Sequence, residues 1–367
     1  VLSLAQVKGN KADSIGGKGS TNIMVGVKGS HGAVDQMVEE LIASHQLTLN
    51  DRDLFKKTDA YLLVTLPAEA GNPDRVIVLG ASTDAAFYGL TSLYQIIQQK
   101  GTELPRLQIE DHADVITRGF IEGYYGNPWS TQDRVNLMKW GGYYKLNAYV
   151  YAPKDDPKHN REWRTLYSEQ ELTEKIDPLA HPFMNQPITN ANYDESVAIL
   201  KQKFTQVMDH GVRQIAILAD DAGNQGEALY TKLLKDMTEW IRQQQKATEQ
   251  DGSLKYPGLK DTIIFCPVAY YGNGEGWYKN LPDNIQVVNT GGRIWGKIDN
   301  AFATRFKNNS GVAPFMWINW PCSDNDKDAL HMGGHNNFLG SDVKPGQVKG
   351  VVLNPMQQSE PSKQVSS

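Results

Sequence analysis

The first part of the chain alternates short apolar runs with amphipathic stretches. The apolar runs predict four strands, at 22–27, 60–66, 75–79 and 107–110. Apolar residues at helical spacing predict two helices, at about 33–47 and 83–98. This alternation is typical of a small α+β layer, and we expect one sheet with both helices on one face. Residues 1–112 are therefore predicted to form an N-terminal α+β domain, and no catalytic constellation is recognisable in it.

After residue 112 the pattern changes to buried strands and helices at the spacing of a barrel. Seven strands are recognisable, at 118–123, 146–151, 214–219, 262–266, 285–289, 313–317 and 350–353. Between the second and third of these, at about 165–195, the sequence is polar and interrupted by prolines, so a third barrel strand is not recognisable. We predict an α/β fold, a (β/α)8 TIM-type barrel over residues 113–367 that is incomplete at this strand. The polar tail after Met356 is interpreted as a loop or frayed end.

Two consecutive aspartates, Asp220 and Asp221, directly follow the apolar run 215–219. Such a run predicts a strand buried on both faces, and the carboxyl ends of parallel strands are the usual site of chemistry in barrels. Because two like charges this close repel each other, we expect the pKa of one carboxyl to rise and that of the other to stay low. The pair would then offer one proton donor and one anion. For an isolated pair, an acidic turn with one Asp capping the next helix is the alternative.

The other predicted strands also end in polar, aromatic or glycine residues. The residues selected on this basis are Gly123, Lys154, Tyr270, Thr290, Trp317, Asn319, Asp324 and Asn354. Each alone has an ordinary explanation as a solvated lysine, a packing aromatic residue or a loop cap. Together they follow separate strands, and in a parallel barrel those ends meet at one rim. A ring of carboxylates, amides and indoles suits a neutral polyhydroxylated ligand such as a sugar.

Composition and charge exclude several classes of protein. The chain has 367 residues, 40% hydrophobic and 22% charged, which is typical of a globular protein. Its net charge of -5, without a basic stripe, argues against a nucleic-acid partner. No membrane span or signal peptide is recognisable. Cys266 and Cys322 form neither a metal-ligand spacing nor a disulfide framework, and no phosphate-binding loop follows a strand, so we expect no cofactor and two small buried apolar cysteines.

Three segments carry a resemblance to a known family. They read RGFIEGYYGNPW at 118–129, KLNAYVYAPKDDP at 145–157 and AILADD at 216–221. Together they resemble glycoside hydrolase family 84, which holds bacterial β-N-acetylglucosaminidases, some called hyaluronidases, and the O-GlcNAcases. The resemblance runs from about 113 to 358, and residues 1–112 are similar to the α+β domain that precedes the barrel in bacterial members. The chain departs from the family in two places. The third strand is not recognisable, and only His181–Met184 resembles the segment after it. The given sequence also stops shortly after Asn354–Met356, where the family continues with a closing helix.

The resemblance implies a retaining exo-β-N-acetylglucosaminidase in which the substrate's own acetamido oxygen is the nucleophile and an oxazoline is the intermediate. It implies that Asp220 orients the acetamido N–H, that Asp221 is the general acid and then the general base, and that Tyr270 binds the acetamido oxygen. It also implies the substrate contacts. Gly123, Lys154 and Asn354 would lie around the sugar hydroxyls, and Asp324 would bind the 4- and 6-hydroxyls. Trp317 and Asn319 would shape the acetamido pocket, with Thr290 nearby.

Two other functions are left open. One is an endo-acting, hyaluronidase-like glycosidase, which would need an open cleft beyond the pocket. The other is a non-catalytic glycan-binding barrel, although a pure binding protein has no need of both aspartates and Tyr270. The expected partners are glycans or glycoproteins that contain β-N-acetylglucosamine, and the family resemblance predicts a secreted bacterial protein.

Overall fold

A computed structural model describes residues 21–68, 74–101, 103–174 and 181–365. The chain divides into two compact units. The first ends at Ile116 and also includes Gly142–Lys145, and the second consists of Thr117–Gly141 and the chain from Leu146 onward.

The first unit is built on a four-stranded sheet. Its elements are β1 (Thr21–Val27), α1 (Ala33–Ala43), β2 (Tyr61–Leu66), β3 (Asp74–Gly80), α2 (Thr83–Lys100) and β4 (Gln108–Asp111). The strand order is β1-β3-β2-β4, with β1 parallel to β3 and the other pairs antiparallel. Ser82 begins α2 as its N-cap by accepting a hydrogen bond from the N–H of Ala85, and Gly101 ends the helix at a φ of 70°. The α+β architecture predicted for this part of the chain is confirmed.

The two helices cover opposite faces of this sheet, so the prediction that both lie on one face is wrong. Val38 and Leu41 of α1 pack against one set of strand residues, Leu62, Val64, Ile77 and Leu79. Tyr88 and Leu93 of α2 pack against the alternate set, Tyr61, Leu63, Val76 and Val78. The reason lies in the central strands β2 and β3, which contain uninterrupted apolar runs. Because successive side chains of a strand point to opposite faces, both faces of the sheet are apolar, and each is covered by its own helix.

The second unit alternates strands and helices. Its elements are β5 (Thr117–Glu122), α3 (Thr131–Tyr143), β6 (Ala148–Tyr151), α4 (Glu169–Glu174), α5 (Tyr193–Asp209), β7 (Ile215–Leu218), α6 (Glu227–Gln244), β8 (Ile263–Cys266), β9 (Ile285–Asn289), α7 (Asn300–Ser310), β10 (Phe315–Ile318), β11 (Gly350–Leu353) and α8 (Ser359–Val365). The seven strands that the sequence predicts are all present, with ends shifted by no more than a few residues.

The seven strands form one parallel sheet in the order β6-β5-β11-β10-β9-β8-β7, which is a nearly closed barrel. The predicted TIM-type fold is confirmed. Strands β6 and β7 are the two ends of the sheet, and the described residues between them contain no strand, as the polar sequence there indicated. Because every pairing is parallel, the carboxyl ends of all seven strands lie on the same rim.

The barrel interior is filled by apolar side chains from all seven strands. The buried set is Ile121, Val150, Ala152, Ala216, Leu218, Ile264, Cys266, Val288, Phe315, Trp317 and Val352. Both cysteines are buried free thiols, as predicted. No helix in the described part of the chain has the length and apolarity needed to cross a membrane.

Most of the polar tail after Met356 forms the helix α8, Ser359–Val365, so its interpretation as a loop or frayed end is wrong. Ser362 is buried in α8, where its hydroxyl donates to the carbonyl of Gln358 at 2.8 Å and accepts from the N–H of Met356 at 3.0 Å. The Ser359 hydroxyl donates to Asp133 of α3 at 2.8 Å. The tail is rich in polar residues, and composition alone therefore suggested that it is solvated. In the structure the serine hydroxyls form hydrogen bonds within the protein, and these hold the helix against the barrel.

Candidate active site

A cavity of about 540 Å³ opens at the carboxyl rim of the barrel. Nine of the ten site residues selected from the sequence line it, namely Gly123, Lys154, Asp220, Asp221, Tyr270, Trp317, Asn319, Asp324 and Asn354. They come from the ends of six different strands, β5, β6, β7, β8, β10 and β11, or from the loops that follow them. The parallel topology therefore brings together residues that are up to 231 positions apart.

Asp220 is buried at the end of β7 and is held as an anion. Its carboxylate forms an ion pair with the Lys154 ammonium, and the His181 Nε2 lies 3.2 Å from its Oδ1 and 2.7 Å from its main-chain oxygen. Burial alone would raise the pKa of Asp220, but the Lys154 charge and His181 outweigh it and hold this pKa well below its usual range. Burial would likewise lower the pKa of Lys154, and the Asp220 charge keeps it raised.

Asp221 has different surroundings from its neighbour. It has a φ of 55°, in the left-handed region that few residues other than Gly, Asn and Asp enter, and its side chain is exposed to the cavity. The Tyr125 hydroxyl donates to its Oδ2 at 2.8 Å and the Tyr270 hydroxyl to its Oδ1 at 3.1 Å. Burial and the Asp221 charge raise the pKa of both tyrosines, so both hydroxyls keep their protons and act as donors.

The adjacent acids thus differ because of their partners. The sequence argument expected their mutual repulsion to leave one of them as an anion. In the structure, the low pKa of Asp220 comes from Lys154 and His181 rather than from Asp221. The arrangement combines a fixed buried carboxylate with an exposed carboxyl group that two hydroxyls orient.

A chain of hydrogen bonds forms another wall of the cavity. The Gly123 N–H donates to Asn354 Oδ1 at 3.1 Å, and Asn354 Nδ2 donates to Asn319 Oδ1 at 2.9 Å. The Trp317 indole N–H donates to the same Asn319 oxygen at 2.8 Å. A Cβ atom on Gly123 would lie 2.3 Å from Trp317 Cζ2, so only glycine lets this indole approach the strand end. The indole orientation is therefore fixed from two sides.

Two further predicted residues have contrasting positions. Asp324 lines the cavity, accepts from the Tyr125 N–H at 2.8 Å, and has a pKa raised by burial. Thr290 is buried and is not among the lining residues. Its hydroxyl donates to the Arg293 carbonyl at 2.6 Å and its N–H donates to the Tyr270 carbonyl at 3.0 Å. Thr290 therefore supports the loop behind Tyr270 instead of facing the cavity.

The structure adds residues that the sequence argument did not select. Tyr125, Trp295, Asn325 and Lys327 line the cavity, and His181 contacts Asp220 from behind. Tyr125 lies in the motif at 118–129, so an inspection of that motif for hydroxyl donors could have identified it. Trp295, Asn325 and Lys327 lie in the loops after β9 and β10, and His181 lies between β6 and β7, where no spacing rule marks them.

A buried ion pair supports the strand end that carries Gly123. The Glu122 carboxylate accepts from Arg134 Nε and Nη2, both at 2.7 Å, and from the Trp129 N–H at 3.0 Å. The Tyr149 hydroxyl donates to the same carboxylate. Glu122 is fully buried and does not line the cavity. In the described residues, no group of three or more His, Cys, Asp or Glu side chains is arranged to hold a metal ion.

Comparison with known proteins identifies the family to which the chain is similar. The family model "NAGidase: beta-N-acetylglucosaminidase" matches residues 118–366. The Protein O-GlcNAcase sequences of Rattus norvegicus and Mus musculus are each 30% identical over 264 residues, which covers 65% of this chain. The chain spans only 28% of the length of these curated relatives.

Three solved structures are similar to this chain in fold. The structure of CpGH84D has a TM-score of 0.78 at 31% identity and covers 96% of this chain and 58% of its own. That of CpGH84B has a TM-score of 0.75 at 26% identity, with 90% and 59% covered. A variant of the Thermobaculum terrenum O-GlcNAc hydrolase, at 23% identity over 68% of this chain and 57% of its own, has a TM-score of 0.59 and shares the fold.

Proposed function

The chain belongs to the β-N-acetylglucosaminidase family, glycoside hydrolase family 84, and on this basis we propose that it removes terminal β-linked N-acetylglucosamine from glycans or glycoproteins. We further propose that it is exo-acting, retains the anomeric configuration and uses the substrate's acetamido group as nucleophile. The observation that carries the proposal is the difference between the two adjacent acids of one cavity: Asp220 is a buried anion, and Asp221 is exposed beside two tyrosine hydroxyls.

In the first step of the proposed reaction, the acetamido carbonyl oxygen attacks the anomeric carbon while the glycosidic C–O bond breaks. Asp220 accepts a hydrogen bond from the acetamido N–H, which increases the electron density on the attacking oxygen. Asp221, in its protonated form, transfers its proton to the departing glycosidic oxygen. The products of this step are the protonated leaving group and the oxazoline in its N-protonated, oxazolinium form, whose positive charge the nearby Asp220 anion stabilises.

In the second step, water attacks the anomeric carbon from the face that the leaving group vacated. Asp221, now a carboxylate, accepts a proton from this water, and the C–O bond of the oxazoline breaks to regenerate the acetamido group. The two displacements each invert the anomeric carbon, so the configuration is retained overall. No protein carboxylate has to form a bond to the sugar, which is consistent with both acids lying on one loop.

The surroundings support this division of roles. Lys154 pairs with the buried Asp220 carboxylate and favours its ionised form, which can accept a hydrogen bond from the acetamido N–H. Tyr270, which donates to Asp221 in this structure, is close enough to the acid pair to donate to the acetamido oxygen instead when substrate enters. The Trp317 indole offers an apolar surface, and the Asn319 and Asn354 amides suit sugar hydroxyls.

The test is hydrolysis of an aryl β-N-acetylglucosaminide and of an unactivated alkyl β-N-acetylglucosaminide by the wild type and two variants. We expect Asp221→Ala to lower kcat on the alkyl substrate by about 10²–10⁴-fold, because a poor leaving group needs its proton, and to affect the aryl substrate much less. Asp220→Ala should impair both substrates. The matched control is Asp283→Ala, which removes an exposed acid that does not line the cavity.

An aryl β-glucoside, which lacks the acetamido group, separates substrate assistance from a protein nucleophile. Turnover of this glucoside at a comparable rate, or full activity of Asp221→Ala on the alkyl substrate, would exclude the proposed mechanism. A folded wild-type protein that binds N-acetylglucosamine without any turnover would instead be a glycan-binding barrel. Release of internal fragments from a long polysaccharide would identify endo-acting, hyaluronidase-like cleavage.

Secretion from a bacterial cell is also proposed, on the family resemblance alone. Detection of the protein in the culture medium, with a cytoplasmic marker as the control, tests this localisation.

A further inference from the structure

His181 is a fully buried histidine that contacts the acid pair but takes no part in the two proposed steps. Its Nε2 lies 2.7 Å from the main-chain oxygen of Asp220 and 3.2 Å from Oδ1 of the same residue. Because both neighbours are acceptors, Nε2 carries a proton and donates it. The shorter contact is to the main-chain oxygen, which belongs to the peptide group that joins Asp220 to Asp221.

The two carboxylate oxygens of Asp220 have different surroundings. Oδ2 pairs with the Lys154 ammonium, whereas no described residue forms a hydrogen bond with Oδ1, because the N–H of His181 is directed at the main-chain oxygen. The Asp220 side chain is only 5% exposed, and the residue lines the cavity at the carboxyl rim. A buried acceptor without a donor is unfavourable, and a substrate N–H can satisfy it. Oδ1 is therefore the atom of Asp220 that is available to a substrate.

The two side chains that contact the buried acid are held in one hydrogen-bonded framework. The His181 N–H donates to the His159 carbonyl at 2.9 Å, and Asn160 Nδ2 donates to the Lys154 carbonyl at 3.3 Å. The Asn185 amide in turn donates to Asn160 Oδ1 at 3.2 Å. The loop after β6 and the segment that begins at His181 are thus joined at two points. This framework fixes Lys154 and His181 relative to each other.

The main chain at the acid pair is also fixed on both sides. The Ala219 N–H donates to the Cys266 carbonyl at 2.8 Å, and the next carbonyl, that of Asp220, accepts from His181. Asp221 then adopts its φ of 55°, a conformation that persists only where the surrounding contacts enforce it. The hydrogen bond from His181 therefore sets the orientation of this peptide group, and with it the direction of the Asp220 side chain.

We propose that His181 is a positioning residue for the reaction: by holding the Asp220 carbonyl, it directs Oδ1 of Asp220 at the acetamido N–H of the bound sugar. The inference rests on the proposed function, because it requires a substrate with an acetamido group. Lys154 pairs with Oδ2 and His181 sets the direction of Oδ1, so the two residues have separate tasks. His181 is not among the residues that line the cavity, so it acts through Asp220 and not on the sugar.

The test compares His181→Gln with His181→Asn. The Gln Nε2 can reach the position of the histidine Nε2 and the shorter Asn amide cannot, so the two variants differ in this hydrogen bond and little in polarity. We expect His181→Asn to lower kcat/KM for an aryl β-N-acetylglucosaminide by about 10–10²-fold, mainly through kcat, and His181→Gln to stay within about fivefold of the wild type. The control is His210→Gln, at an exposed histidine that does not line the cavity, and it should leave kcat/KM unchanged.

Combination with Asp220→Ala separates positioning from a general structural role. If His181 acts through the Asp220 carboxylate, His181→Asn should cost less than about twofold in the Asp220→Ala background. A purely structural role would give the same loss in both backgrounds. The aryl substrate is used because its leaving group needs no proton from Asp221, so kcat/KM reports on the attack of the acetamido oxygen.

Two further measurements examine the hydrogen bond itself. A thiazoline analogue of the oxazoline carries its nitrogen where the acetamido N–H lies, so its Ki should rise in His181→Asn by about the factor by which kcat/KM falls. Long-range ¹H–¹⁵N spectra of the imidazole rings in the wild type should show a proton on Nε2 of His181, with the signal assigned by its loss in His181→Gln. A proton on Nδ1 alone would overturn the inference.

The outcomes separate this inference from the proposed function. If the wild type does not hydrolyse the aryl substrate, the proposed function fails. If it does, the positioning role is wrong when both His181 variants lose activity equally, when both keep it, or when His181→Asn costs as much without the Asp220 carboxylate as with it. Circular dichroism checks folding. If His181→Asn does not fold, a loss of more than about tenfold in a folded His181→Gln would overturn the inference, because that variant keeps the donor.

Discussion

Substitution of Lys154 by methionine tests how the buried charge of Asp220 is maintained. Methionine keeps most of the length of the lysine side chain and removes its charge, so Asp220 loses its ion-pair partner while the packing changes little. The Lys154 and Asp220 side chains are only 2% and 5% exposed, so solvent cannot replace the lost charge. Removing one partner of a buried pair typically costs about 3–5 kcal/mol of unfolding free energy.

The pH dependence of this cost follows from the directions of the two pKa shifts. The lowered pKa of Asp220 stabilises the fold above the unfolded value of about 3.9, and this contribution is lost as the pH falls through the folded pKa. The raised pKa of Lys154 stabilises the fold below the unfolded value of about 10.4, and this contribution is lost as the pH rises through the folded pKa. We therefore expect the cost of Lys154→Met to be largest near neutral pH. It should shrink towards about pH 4, where the unpaired Asp220 can take up a proton.

Denaturant unfolding of the wild type, Lys154→Met, Asp220→Asn and the double variant measures the coupling of the pair. The double variant should be more stable than the sum of the single effects predicts, by about 2 kcal/mol or more, because it leaves no unpaired buried charge. Lys246→Met, at an exposed lysine, is the control and should change stability by less than about 0.5 kcal/mol. Additive single effects, or a loss for Lys154→Met no larger than for the control, would refute the reasoning.

Three other substitutions have expected outcomes that follow from single contacts. Gly123→Ala would place a methyl group 2.3 Å from Trp317 Cζ2, so we expect kcat/KM to fall at least about tenfold while circular dichroism shows an intact fold. Glu122→Gln should lower the unfolding free energy by about 3–5 kcal/mol, because Arg134 is left buried without its counter-charge; an unchanged denaturation midpoint would contradict this. Tyr125→Phe removes one of the two hydroxyl donors that orient the proposed general acid, so we expect kcat on an alkyl β-N-acetylglucosaminide to fall with little change in KM, and an unchanged kcat would contradict that role.

The local sequence pattern predicted where the barrel strands lie and which residues follow their ends. Buried apolar runs gave the strand positions, and the change of pattern after each run gave the strand ends, because a run as short as 215–219 that ends in charged residues is typical of a strand buried on both faces. The parallel topology then brought nine of the ten selected residues to one cavity. Thr290 was the exception, since a residue after a strand can turn either into the cavity or behind it, and its hydrogen bond to Arg293 is formed by the loop.

The sequence by itself therefore determined the barrel, the position of the acid pair and most of the cavity. Tertiary structure alone decided which charges meet: Lys154 and His181 lie 66 and 39 positions from Asp220, and no pattern in the chain links them. It also decided that α1 and α2 cover opposite faces and that the tail after Met356 is helical. The physical reason is that apolar burial follows a local period, whereas the state of a buried charge depends on partners within a few ångströms, and these distances exist only in the folded chain.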